Sequence, residues 1–163
     1  MQRRECAYRA LPESLRLTAP LIESPLSDTA TRLSKAGAAP FVLGAALVWI
    51  VNAEAHYYAT MALAVWAALV IAFLGGVHWG LAMRQSVPPA SLWLWGVAPT
   101  GFAWAAVMMP PRSGLIIDGV LLIGGYLVDR KVYPVQGIGR WLTLRFRLAS
   151  VASMACFLGA AGA

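Results

Sequence analysis

Long apolar runs divided by short polar or proline-bearing breaks set the pattern of this chain. Ala36 to Val51 is apolar through Phe41-Val42-Leu43-Gly44-Ala45-Ala46-Leu47-Val48-Trp49-Ile50. Tyr57 and Tyr58 open a second run that reaches Met83, and Pro88-Pro89 break the chain beyond it. A third run, Ala90 to Met109, is closed by Pro110-Pro111. The fourth, Gly114 to Val128, stops at Asp129-Arg130-Lys131, and the fifth extends from Trp141 to Gly162. A membrane helix needs about 20 mostly apolar residues. These runs are apolar on all sides, whereas barrel strands alternate. Backbone polar groups in lipid must also be satisfied within the segment. The expected fold is therefore all-α, a polytopic bundle of five transmembrane helices at 36–52, 58–83, 90–109, 113–129 and 142–162. Arg145 and Arg147 lie in the first turns of the last span, where long side chains reach the headgroups.

Composition sharpens this reading. Of the 163 residues, 60% are hydrophobic and 12% charged, against about 25% charged in soluble domains. Mean hydropathy is +0.66. An ordinary cytosolic enzyme and a disordered chain are both excluded. Residues 1–35 are polar and hold six basic and four acidic side chains. No apolar core follows the basic start, so the expectation is a cytosolic, partly interfacial tail rather than a signal peptide. Residues 36–163 then form the membrane domain.

The net charge is +6, and its placement orients the chain. With the N-terminus inside, the tail, Arg84 and the Arg130–Arg147 region all lie inside, and only Arg112 lies outside. The C-terminus is then outside, which in a bacterium is the periplasm. Trp49, Tyr57, Tyr58, Trp79, Trp93, Tyr133 and Trp141 fall near span ends, as belt aromatics do. Trp95 and Trp104 are candidates to line a cavity. The expected compartment is a bacterial inner membrane, or the mitochondrial inner membrane in a eukaryote. No nucleic-acid module is present, and no nucleic-acid partner is expected. Cys6 and Cys156 are read as free thiols, with no zinc-type spacing. No cofactor or metal is expected.

Few polar side chains fall inside the runs. His78 lies near the inner end of the second run, beside Gly75, Gly76 and Gly80, whose spacing allows close helix approach. Asp118 lies near the outer end of the fourth, where a carboxylate is costly unless paired, neutral or hydrated. At 1.5 Å rise per residue, the two should sit roughly 15–20 Å apart in depth, which rules out a direct relay. Expected partners for Asp118 are Asn52, Glu54, His56 and Arg112. Those for His78 are Arg84, Asp129 and the Arg140–Arg147 segment. Asn52 to His56 reads as a solvated outer loop, with too few ligands for a metal site. No nucleophile–base constellation is found.

Phe73-Leu74-Gly75-Gly76-Val77-His78-Trp79-Gly80 resembles the hallmark of a family of small multispanning membrane proteins, domain of unknown function 3429, which includes mitochondrial transmembrane protein 69. Gly37 to Phe41, Tyr126 to Arg130 and Trp141 to Leu148 look similar as well. The likeness spans about residues 33–160, and it implies a small integral inner-membrane protein without supplying a catalytic mechanism. Gln136-Gly137-Ile138-Gly139 departs from the more proline- and aromatic-rich approach expected of the family before Trp141. In size and tryptophan content the chain is also similar to tryptophan-rich sensory proteins, although their proline–tryptophan pattern has no counterpart here.

The leading expectation is a non-enzymatic membrane protein that binds a lipid-like ligand or a membrane partner through the second helix and the inner basic rim. Its candidate ligand residues are Gly75, Gly76, His78, Trp79, Gly80, Trp104, Asp118, Arg140, Trp141 and Arg145. Expected partners are the bilayer, an anionic lipid or quinone, and a second copy or another membrane protein. The alternatives are a small proton-coupled carrier using Asp118 and His78, or a structural or assembly subunit of a membrane complex.

Overall fold

The structure, a computed structural model, describes residues 27–163. The expectations for Cys6 and most of the polar tail concern residues 1–26 and lie outside the described residues. The described residues are all-α: α1 (Asp28–Ala36), α2 (Ala39–Ile50), α3 (Ala53–Met83), α4 (Ala90–Val107), α5 (Pro111–Val135) and α6 (Leu142–Gly162), with one 3₁₀ turn at Gly139–Trp141. Four segments are long and apolar enough to cross a membrane: Asp28–Ile50, which joins α1 and α2, then α3, α5 and the Gly139–Gly162 segment containing α6. The shorter α4, with three tryptophans and Pro99 in 18 residues, is not among them.

Two expected boundaries change. Asn52 to His56 is the first turn of α3, not a solvated loop. The Asn52 side chain accepts the Ala55 N–H at 3.1 Å, capping an otherwise unsatisfied donor. His56 Nε2 meets the Gly162 carbonyl oxygen at 2.9 Å and ties this turn to the end of α6. At the other side, α5 does not stop at Asp129-Arg130-Lys131 but runs on to Val135. Charges end an apolar run, but they do not end a helix. Glycine does that here. Gly137 has φ +71°, its N–H bonds the Pro134 carbonyl, and the Ile138 N–H bonds the Tyr133 carbonyl at 2.9 Å. This pair of bonds is a Schellman cap, and it favours a residue without a Cβ at that position. Gln85 at the end of α3 donates to the Gln136 side chain at 2.9 Å, which joins the two helix ends.

Packing follows the logic of a bundle in lipid. Ten of the 21 buried apolar residues are alanine, so the helices approach closely on small side chains. Large apolar side chains instead cover the outside, among them Leu43, Ile50, Leu69, Phe73, Leu94 and Met154. A soluble domain would not expose so continuous an apolar surface. Gly75 of α3 faces Gly96 of α4 so closely that an added Cβ would lie 2.7 Å from the Gly96 carbonyl oxygen. Paired contacts fix the helix directions. His78 meets Asp129, and Leu63 and Leu115 both meet Gly159, so α3 and α5 run parallel. Asp129 meets Arg145 and Gly119 faces Phe157, so α6 returns antiparallel to α5.

Candidate functional site

One stripe of α5 turns inward: Leu115, Asp118, Leu122, Asp129 and Tyr133 are all buried. Eleven residues separate the two acids, close to three full turns, so both face the interior at different depths. At the lower position, Asp129 receives two partners from two other helices. Arg145 Nε of α6 donates to Oδ2 at 2.6 Å, and His78 Nε2 of α3 stands 3.3 Å from Oδ1. All three side chains are nearly inaccessible. The Arg145 contact has the short geometry of a charge-assisted hydrogen bond. The His78 contact has ion-pair distance without hydrogen-bond alignment. His78 Nδ1 lies 3.3 Å from the Leu74 carbonyl oxygen. Both neighbours of the ring are therefore acceptors. Tyr133, one turn past Asp129, packs its ring 6.4 Å from that of His78.

Above this cluster lies a cavity of about 250 Å³. Ile71, Leu74, Gly75 and His78 of α3 form one wall, and Trp95, Pro99 and Phe102 of α4 form another. From α5 come Val120, Leu121, Leu122, Gly124, Gly125, Val128 and Asp129, and Arg145 closes one end. The α3 and α4 walls are residues three and four apart, one helix face each. Two features of the sequence make this space. Gly124 has no neighbour within 4 Å of an added Cβ, and at Gly125 the nearest atom is Arg145 Nη2 at 3.6 Å. Pro99 has no N–H, so the Trp95 carbonyl beside the cavity loses its helical partner. Trp95, Phe102 and Val120 are exposed, so the rim opens sideways on the apolar surface between α4 and α5.

A family model described as "Protein of unknown function (DUF3429)" matches residues 26–161. The chain belongs to this family. No curated protein matches it, and no solved structure does. The likeness read from Phe73–Gly80 and the flanking stretches falls within the matched DUF3429 range. It is a polytopic helical membrane protein, and its described residues hold no cluster of three metal-ligating side chains.

The Phe73–Gly80 stretch divides its work between two faces of α3. Gly75 and His78 face inward, to α4 and the cavity. Trp79 clamps α4: its Nε1 donates to the Trp93 carbonyl at 3.2 Å, and its ring covers Gly96. The expected close approach at Gly76 and Gly80 does not occur, because nothing lies within 4 Å of a Cβ on either residue. They share the outer face with Phe73, where no helix of the described residues packs.

The remaining candidates are scattered. Trp104 points outward, 67% exposed, away from the cavity. Arg140 and Trp141 sit in the 3₁₀ turn, outside the cavity wall. Asp118 is fully buried, yet neither carboxylate oxygen has a hydrogen-bond partner among the described residues. Its expected partners are elsewhere, since Asn52 caps α3 and His56 holds Gly162. Arg112 lies six residues before Asp118, about 240° round the helix, and is exposed. The residues missing from the candidate set are Asp129 and Tyr133. The eleven-residue spacing from Asp118 places Asp129 on the same buried stripe, and Tyr133 follows one turn later.

Proposed function

We propose that this protein takes a lipid-like molecule from the bilayer into the cavity between α3, α4 and α5, and that its role is binding rather than catalysis. The observation that carries this reading is a laterally open apolar cavity ending on the buried His78–Asp129–Arg145 cluster. Pockets for small ligands commonly combine apolar walls with a few placed polar groups. Arg145 supplies donors, and both Asp129 oxygens are engaged, so the matching headgroup offers an acceptor oxygen, as a carboxylate, phosphate or quinone carbonyl does. A volume of about 250 Å³ holds a head or ring, with the tail left in lipid.

The same reading includes five membrane passes. Because α3 and α5 run parallel, the chain between them must return across the bundle, and α4 is the only helix there. At 18 residues it spans about 27 Å, near the thickness of the hydrocarbon core. The distribution of Arg and Lys places the N-terminus inside and the C-terminus outside. An inner membrane, bacterial or mitochondrial, is the compartment in keeping with this topology.

Native mass spectrometry after mild extraction tests the binding reading. The wild-type protein should retain a small amphiphile, and Gly124→Leu, which fills the cavity, should lower retention at least tenfold with an unchanged melting temperature. Equal retention by Gly124→Leu would overturn the proposal.

A further inference from the structure

Asp118 stands apart from the cavity and from the ion cluster. It is fully inaccessible and both its oxygens lack a partner among the described residues, whereas Asp129, about 16 Å further along the same helix, has two. Leu115 and Leu122 flank it by one turn on either side and are themselves buried. Gly119 beside it lies under the Phe157 ring, 2.7 Å from an added Cβ.

The titratable groups on the neighbouring helices do not supply a countercharge. On α6, the Cys156 thiol is level with Asp118 and within its electrostatic reach, while Arg145 is engaged with Asp129 at the lower level and Arg147 is exposed. On α3, Glu54, His56, Tyr57 and Tyr58 belong to the first turns, and His78 belongs to the lower cluster. The sequences of α2 and α4 contain no titratable side chain.

An ionised carboxylate in such a place is strongly disfavoured. A metal ion would require several oxygen ligands, and the described residues offer no such group. The proton is the one cation that a carboxylate can hold with no other ligand. We infer that Asp118 is a resident proton-binding site, a neutral carboxylic acid held in the half of the bundle away from the ion cluster. This inference does not depend on the cavity reading.

Infrared difference spectroscopy on the full chain in phosphatidylcholine vesicles at neutral pH tests it. Wild type minus Asp118→Asn should show the carbonyl stretch of a protonated carboxyl, absent from the variant. Asp118→Glu, which keeps a carboxyl, should shift that band rather than abolish it and serves if the amide variant fails to fold. Adding sodium chloride should leave the band in place. A spectrum with carboxylate bands alone, a protonated band that survives in Asp118→Asn, or loss of the band on adding sodium would each overturn the inference.

Discussion

Two aspartates on one helix face show how burial acts on a single residue. Asp129 is held by Arg145 and His78, and Asp118 by nothing among the described residues. Arg145→Leu leaves the Asp129 carboxylate buried against a non-donor and should cost about 3–5 kcal/mol of stability. Adding Asp129→Leu should recover most of that loss, because the buried pair is then replaced by apolar side chains. Thermal unfolding of the single and double variants in detergent checks both outcomes. Of this geometry, the pairing of His78 with Asp129 was legible from depth, since both mark the same end of their helices; Arg145 joins them only through Asp129, and Arg84, expected beside His78, is exposed. The isolation of Asp118 was not legible. Depth brings Arg112 near, but the turn of the helix carries it to the far side.

At the scale of the element, prolines and glycines set most boundaries. Pro89 and Pro110 precede α4 and α5 as their caps, as the paired prolines foretold. The start of α3 escaped the apolar pattern because its first turn is polar, and the Asn52 cap was the readable sign. The end of α5 escaped it because span and helix end for different reasons, and Gly137 marks the second. The glycines of α3 separate in the same manner. A repeat of small residues predicts close approach but does not say which of two adjacent glycines faces the neighbour. Gly75→Ala should destabilise the contact with α4 by about 1–3 kcal/mol, as overpacking does, because the atom in the way is backbone oxygen. Gly76→Ala should stay within about 0.5 kcal/mol of wild type. Melting temperatures of the two variants, measured side by side, check the difference.

For the whole molecule, the apolar outside and alanine-rich inside follow from lipid taking the place of water, and composition alone revealed that. Five alternating spans already implied a common direction for α3 and α5, but their contact did not emerge from the sequence, because it depends on residues about 50 positions apart. That pairing makes orientation testable. Cysteines placed at Gln85 and at Ser113, in a background with Cys6 and Cys156 replaced by alanine, should react with a membrane-impermeant maleimide from opposite sides of intact inner-membrane vesicles. Labelling of both from one side would refute five passes.

The shared Asp129 also bears on assembly. Its guanidinium partner sits on α6, which is synthesised after α5, so the acid reaches the bilayer before its counter-ion exists. Until Arg145 arrives, α5 has reason to linger at the headgroup level, where the carboxylate stays hydrated. Closure around Asp129 is thus coupled to synthesis of α6, and a product ending before Arg145 would display an unneutralised acid.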